Sequence, residues 1–234
     1  EPEMIAPNSW YAGLPDSDLH DQLANHNIYN LLWAKSIFDG YARNAVEQRP
    51  AILSRSGTSG IQRYGAAMWS ADIGADFDSL ATHMNAQMHL SLSGMDYFGS
   101  DIGGFHRGAI SDNDLDELYT VWFANSSLLD VPVRPHTENL CNCKETAPDR
   151  VGELDSNLAN IRLRYALSPY LYSLAHEANL TGAPVVPPLL FYFQDDPETR
   201  QLGDHKMLGE NLLVRTVTEA NVKTVPVYLP AGER

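Results

Sequence analysis

Across 234 residues the chain carries 44% apolar side chains, and 30 acids against 16 Lys and Arg give a formal net charge of −14. That length and apolar content support a sizeable globular core, while the negative charge and the lack of a basic stripe argue against nucleic acid as a partner. Cys141 and Cys143 stand too close together to staple distant segments, and the most apolar tract, Val185 to Phe193, is interrupted by Pro187 and Pro188. It falls short of the roughly 18 to 20 apolar residues that a membrane-spanning helix needs, so no membrane partner is expected.

The chain opens Glu1-Pro2-Glu3, without an initiator Met, a basic n-region or an apolar h-region. This resembles an interior start rather than a signal peptide, and it leaves the compartment undefined.

Four short apolar runs follow, each ending in a polar or charged residue: Ala51 to Arg55, Ala67 to Asp72, Met95 to Asp101 and Val131 to His136. Partly helical stretches separate them, which is the rhythm of alternating strands and helices in an α/β fold with parallel strands buried on both faces. Phe77, Leu80, Ala81, Met84 and Met88 recur at helical spacing, with Asp76 and Asp78 near the start and Gly94 beyond the end, and predict a crossover helix. Asp112, Asp114, Asp116 and Glu117 crowd the front of a second helix carrying Leu115, Leu118, Tyr119 and Trp122, where carboxylates favour the positive end of the dipole. The same acids open a D-x-D-x-D pattern, but Glu117 and Phe123 stand where a calcium loop needs Gly and Glu.

From Leu154 to Ala178 the helical pattern runs through Leu158, Ile161, Tyr165, Leu171 and Leu174, with Pro169 in its middle and Gly182 past its end, so a kinked or broken helix pair is expected. Beyond Gly182 the pattern turns to short β-type segments, Val185 to Phe193, Asn211 to Val217 and Val222 to Leu229, so the reading places one domain over 1–182 and the start of an all-β domain over 183–234.

In a parallel barrel the residues at the carboxyl ends of the strands share one mouth, which brings Arg55, Asp72, Asp101 and His136 together. Two carboxylates, a guanidinium and an imidazole around one cavity suit a neutral, polyhydroxylated substrate, and Trp69 and Phe105 offer flat apolar surfaces for a sugar face. Each residue has a plainer reading: Trp69 and Phe105 as core aromatics, Asp72 as a helix cap, His136 as a satisfied core histidine, Arg55 as an ion-pair partner. The histidines and cysteines form no HExxH, CxxC or spaced ligand set, and neither a P-loop nor a GxGxxG fingerprint is present, so no metal or cofactor is expected.

The motifs Ser54-Arg-Ser-Gly, Gly60-Ile-Gln-Arg-Tyr64, Trp69-Ser-Ala-Asp72, Leu92-Ser-Gly-Met95, Asp101-Ile-Gly-Gly-Phe105 and Arg134-Pro-His136 occur in that order. The set continues through Arg162-Leu-Arg-Tyr165, Pro169-Tyr-Leu-Tyr172, Gly182-Ala-Pro-Val185, Met207-Leu-Gly209 and Val227-Tyr-Leu-Pro-Ala-Gly232. In order and spacing it resembles glycoside hydrolase family 31 over almost the whole chain. The resemblance implies a retaining α-glycosidase of α-glucosidase type, built as a (β/α)8 TIM barrel followed by β-sandwich domains, with this chain as the second half of the barrel and the first strands beyond.

It further implies that Asp72 is the acid/base, and that Arg55, Trp69, Asp101, Phe105 and His136 bind the sugar. Glu1-Pro2 looks like the tail of a D-x-x-E-P signature, whose nucleophilic Asp would lie just upstream. A proton donor must hold its proton near neutrality, which burial beside Trp69 and the charge of that nucleophile would favour. Ala71 departs from the Gly usual before the acid/base, Val121 and Ala124 to Ser127 depart from the usual helix, and the Cys141 to Cys143 loop matches no family feature. Half a barrel needs its N-terminal half as a partner, since an open parallel sheet exposes its edges; the isolated segment is expected to be inactive. The alternatives are a noncatalytic carbohydrate-binding fragment or subunit, or a family relative acting as α-xylosidase, α-galactosidase, sulfoquinovosidase or α-transglycosylase.

Overall fold

The computed structural model describes residues 22–107, 110–136 and 145–231. The start at Glu1-Pro2 and the Cys141 to Cys143 loop lie outside these residues. Two compact units divide between Trp69 and Ser70.

The described residues of the first unit begin with a helix not anticipated from the sequence, α1 (Gln22–Arg43). Its Tyr29, Trp33 and Ile37 recur every fourth residue, the periodicity that could have revealed it. β1 (Ile52–Ser54) and β2 (Ala66–Trp69) then pair in parallel, with Leu53 opposite Ala67. The expectation of burial on both faces is corrected for β1. Ser54 turns toward α1 and donates its hydroxyl to Asn30 Oδ1 at 3.3 Å, so alternation along the strand sends Leu53 the other way, 49% exposed.

In the second unit, α2 (Phe77–Leu92) forms where the periodicity places it. Asp76 caps it, its carboxylate accepting from the Ser79 amide at 2.6 Å and satisfying one of the otherwise unpaired first-turn donors. β3 (Phe98–Gly99) is the core of the third run, and Ser70, directly after β2, donates its amide to the Gly99 carbonyl at 3.0 Å. α3 (Asp112–Leu129) starts at a Ser111 cap. Its acids are structural: Asp116 accepts the Gly152 amide at 2.8 Å, and Glu117 accepts that of Asn221 at 2.5 Å.

The fourth run is not a continuous strand. It makes a single parallel bridge, Arg134 to Asp101, because Pro132 and Pro135 flank Arg134 without amide protons to extend the ladder.

α4 (Leu154–Thr181) is one helix rather than a broken pair. Pro169 removes a single backbone donor, and anchors on both sides keep the helix whole. Asn157 donates to the carbonyls of Pro148 and Val151 at 3.0 and 2.9 Å, and Tyr170 donates its hydroxyl to the Leu208 carbonyl at 2.8 Å. Gly182 then closes the helix with a left-handed backbone, φ 76°.

Beyond it the β-type segments are shorter than expected. Pro187 and Pro188 reduce the Val185 to Phe193 run to one antiparallel bridge, Pro188 to Lys206, followed by a 3-10 turn at Leu189–Phe191. β4 (His205–Leu208) and β5 (Leu212–Arg215) form an antiparallel hairpin. Val222 to Leu229 is not a strand, and its Tyr228 amide donates to His205 Nε2 at 2.9 Å instead.

The core of this unit gathers Leu80 and Met84 of α2, Leu118 and Trp122 of α3, Val186 and Leu208. Fully burying one such aliphatic side chain contributes about 1.5–3 kcal/mol. Within the core lies an enclosed polar chain. Lys206 donates to Gln87 Oε1 at 2.9 Å, Gln87 donates to Asp130 Oδ1 at 2.8 Å, and Asp130 Oδ1 lies 3.0 Å from His83 Nε2. Each of these four residues is buried.

Candidate active site at the carboxyl ends of the parallel strands

Asp72 occupies the tip of a tight turn directly after β2. The Ile73 amide donates back to the Ala71 carbonyl at 3.0 Å, and Ala71 holds a left-handed backbone at φ 65°. Because Asp76 is the cap of α2, the capping explanation for Asp72 falls away. Asp72 itself is exposed, so the second unit's described residues do not supply the desolvating wall expected around a proton donor.

The turn is clamped to the loop that follows β3. Phe105 and His106 both donate their amides to the Ile73 carbonyl, at 2.9 and 3.0 Å, and Ala75 donates to the His106 carbonyl at 3.0 Å. Gly74 and His106 thereby form a parallel bridge. Phe105 is half-buried and stands edge-on to His106, ring centres 5.4 Å apart.

Asp101 begins that loop and is fully enclosed, with Arg134 Nη1 2.7 Å from its Oδ1. The arrangement follows from the backbone: the Asp101–Arg134 bridge and the bond from the Ile102 amide to the Arg134 carbonyl, 3.3 Å, set the two residues side by side. Neighbouring Ser100 turns instead to the helix layer, where its hydroxyl accepts from Trp122 Nε1 at 2.9 Å. Arg107, buried on the returning part of the loop, also feels the Asp101 charge, which opposes the burial that lowers its own guanidinium.

His136 is exposed at the end of the fourth run, its Nε2 2.5 Å from Glu145 Oε1, while Arg150 Nη1 donates to Glu145 Oε2 at 2.5 Å. The His136 hydrogen bond, aided by the charges of His136 and Arg150, holds the Glu145 carboxyl below the usual carboxylate range. His136 is therefore not a core histidine.

Backbone contacts thus connect the loops carrying four of the six expected residues, Asp72, Phe105, Asp101 and His136. Arg55, exposed just after β1, and Trp69, half-buried as the last residue of β2, belong to the first unit. Sequence reasoning overlooked Arg107 and the ion-pair role of Arg134, although Arg134 stands inside the quoted Arg-Pro-His motif. An apolar groove of about 540 Å³ lies elsewhere, between α3, α4 and residues 132–135, with Val133 and Pro135 in its lining. Among the described residues no group of three or more His, Cys, Asp or Glu is placed to hold a metal ion, and no helix is long and apolar enough to cross a membrane.

Comparison with known proteins gives this geometry a family. The Glycosyl hydrolases family 31 TIM-barrel domain matches residues 3–174, and the Glycosyl hydrolase family 31 C-terminal domain matches residues 182–234. A probable glucan 1,3-alpha-glucosidase of Oryza sativa subsp. japonica is 36% identical over 211 residues, 89% of this chain and 22% of the relative. Alpha-glucosidase 2 of Bacillus thermoamyloliquefaciens is 34% identical over 221 residues, 93% of this chain and 26% of the relative.

Among solved structures, the Flavobacterium johnsoniae GH31 dextranase complexed with glucose superposes with a TM-score of 0.82 at 27% identity, covering 92% of this chain and 27% of that one. A GH31 alpha-xylosidase from a soil metagenome, complexed with xylose, gives a TM-score of 0.76 at 30% identity over 94% of this chain and 36% of that one. The chain therefore spans about a quarter of the length of the two curated relatives named. It belongs to glycoside hydrolase family 31, with TIM-barrel-domain sequence followed by C-terminal-domain sequence.

Proposed function

We propose that the protein containing this chain is a retaining α-glycosidase of α-glucosidase type, that Asp72 is its acid/base, and that the attacking carboxylate lies upstream of residue 1. The barrel part then covers 1–182 and the all-β domain begins at 183. Cleavage with retention needs two carboxylates about 5 to 5.5 Å apart. The upstream Asp attacks C1 and forms the glycosyl ester while Asp72 gives its proton to the departing oxygen; Asp72 then takes a proton from the water that hydrolyses the ester. Arg55, Trp69, Asp101, Phe105 and His136 form the sugar-binding wall, and the N-terminal half of the barrel supplies the rest of the cavity.

The observation that carries this reading is the position of Asp72. It stands at the carboxyl end of a parallel strand, is relieved of capping by Asp76, and lies on a turn clamped to the Asp101 to Phe105 loop. The relatives named alpha-glucosidase favour a glucoside, and the alpha-xylosidase likeness names a xyloside as the alternative sugar.

In the full-length parent, Asp72→Ala is expected to slow hydrolysis of ordinary α-glucosides by about 10² to 10⁴, the usual worth of general acid catalysis, and to affect activated aryl α-glucosides much less. The sugar released first by the parent keeps the α configuration, which proton NMR reads directly. Equal losses on both substrate types, or a β-configured first product, would overturn the assignment.

A further inference from the structure

Tyr228 ties the segment from Val222 to Leu229 to its surroundings. Val227 and Leu229 on either side of it are 48% and 71% exposed, so apolar burial holds this stretch only weakly. The Tyr228 hydroxyl donates to Asp196 Oδ2 at 2.7 Å, and the Tyr228 amide donates to His205 Nε2 at 2.9 Å. We propose that His205 is an acid-sensitive latch: its neutral ring fastens the Tyr228 backbone to the β4–β5 hairpin, and uptake of a second ring proton unfastens it.

The partners fix the tautomer. A backbone N–H only donates, so Nε2 accepts and carries no proton, and the ring proton sits on Nδ1, 2.6 Å from Asp204 Oδ1. A second proton can enter only at Nε2. It turns that nitrogen from acceptor to donor and sets it against the Tyr228 N–H, whereas Asp204 accepts from Nδ1 in both states. The ring therefore keeps its place while the Tyr228 bond breaks. Asp204 is itself held: Arg215 Nη2 lies 2.7 Å from its Oδ2, and the Thr216 amide donates to its carbonyl at 2.9 Å. The imidazole is 4% accessible, so a protonated Nε2 reaches water only once the segment lifts away.

Neighbouring titratable groups leave the switch to His205. The Asp196 hydrogen bond, and beyond it the charges of Asp196 and Glu198, raise the Tyr228 phenol above its ordinary 10.0, so the hydroxyl still donates in acid. Lys206, the next residue of β4, turns to the opposite face and donates to the Met84 carbonyl and to Gln87 of α2. His205 and Tyr228 both lie in the stretch that matches the family's C-terminal domain, so the latch acts there and is independent of the role proposed for Asp72.

The test is hydrogen–deuterium exchange by mass spectrometry on the full-length parent, reading the peptide over 222–231. It is run at about pH 8 and about pH 5, the span in which a histidine ordinarily titrates, with intrinsic exchange corrected for pH. Protection of this peptide is expected to fall about tenfold or more at the lower pH. His205→Gln supplies an amide oxygen that accepts the Tyr228 N–H and takes up no proton, so its change stays under about twofold; Lys206 is present in both proteins and cancels. Asp204→Asn keeps an acceptor for the Nδ1 proton but removes the charge that favours the imidazolium, so release moves to lower pH. It also decides the matter if His205→Gln does not fold. Equal protection of the parent peptide at both pH values would overturn the latch. So would a His205→Gln protein that loses protection as the parent does, or an Asp204→Asn protein whose release fails to move to lower pH.

Discussion

Phe105 donates its backbone N–H to the Ile73 carbonyl at 2.9 Å, tying the loop after β3 to the turn that carries Asp72. The approach is close enough that a Cβ on Gly104 would lie 2.3 Å from the Gly74 carbonyl oxygen and 2.5 Å from the Ala75 Cα. Gly104 also holds a left-handed φ of 80°, so it suffers on both counts from any side chain.

Gly104→Ala is therefore expected to destabilise the protein by about 2 kcal/mol or more, through strain and loss of the clamp. Gly203→Ala serves as the control. A Cβ there meets nothing within 4 Å, and its effect is expected within about 0.5 kcal/mol of zero. Urea midpoints of the two variants make the comparison, and similar midpoints would argue against the clamp.

Ala71 tests the same turn from its other end. Its φ of 65° costs an L-residue about 1–2 kcal/mol, and the Gly usual at this family position would not bear that cost. Ala71→Gly relieves the strain but adds about 0.4–1 kcal/mol of unfolded-chain entropy, leaving a net gain of roughly 0.5–1 kcal/mol. The urea midpoint should rise slightly, and a fall would mean that the Ala71 methyl packs usefully.

Lys206 makes stability depend on pH. Burial pulls its ammonium down from 10.5 to about 7, with the Asp130 charge opposing the shift. Between those values the unfolded chain holds a proton that the folded chain has released, so stability rises as pH rises from about 7 to 10.5. Below that window the full penalty applies; above it there is none. Lys206→Met should flatten the rise, whose slope is at most about 1.4 kcal/mol per pH unit for one proton. Parallel stability profiles for parent and variant across this range would refute the burial cost.

Much of the architecture was legible along the chain because its causes are local. Helical periodicity and acidic starts located α2 and α3, and the runs ending at Arg55, Asp72 and Asp101 marked strand ends, although β3 is shorter than its run. Local signals also misled. Pro169 suggested a break that anchors at Asn157 and Tyr170 prevent, and the β-type composition of Val222 to Leu229 yields no strand, its Tyr228 amide pairing with His205.

By itself the sequence determined the family, the order of the motifs and which residue types stand at the strand ends, since these are properties of spacing alone. The tertiary structure decided which of those residues is buried and which reachable: Asp101 enclosed and Arg134 accessible, Asp72 exposed, Lys206 sealed beside Gln87. Burial and charge pairing depend on groups brought together from dozens of residues apart, and no local pattern records the dielectric that each side chain will meet.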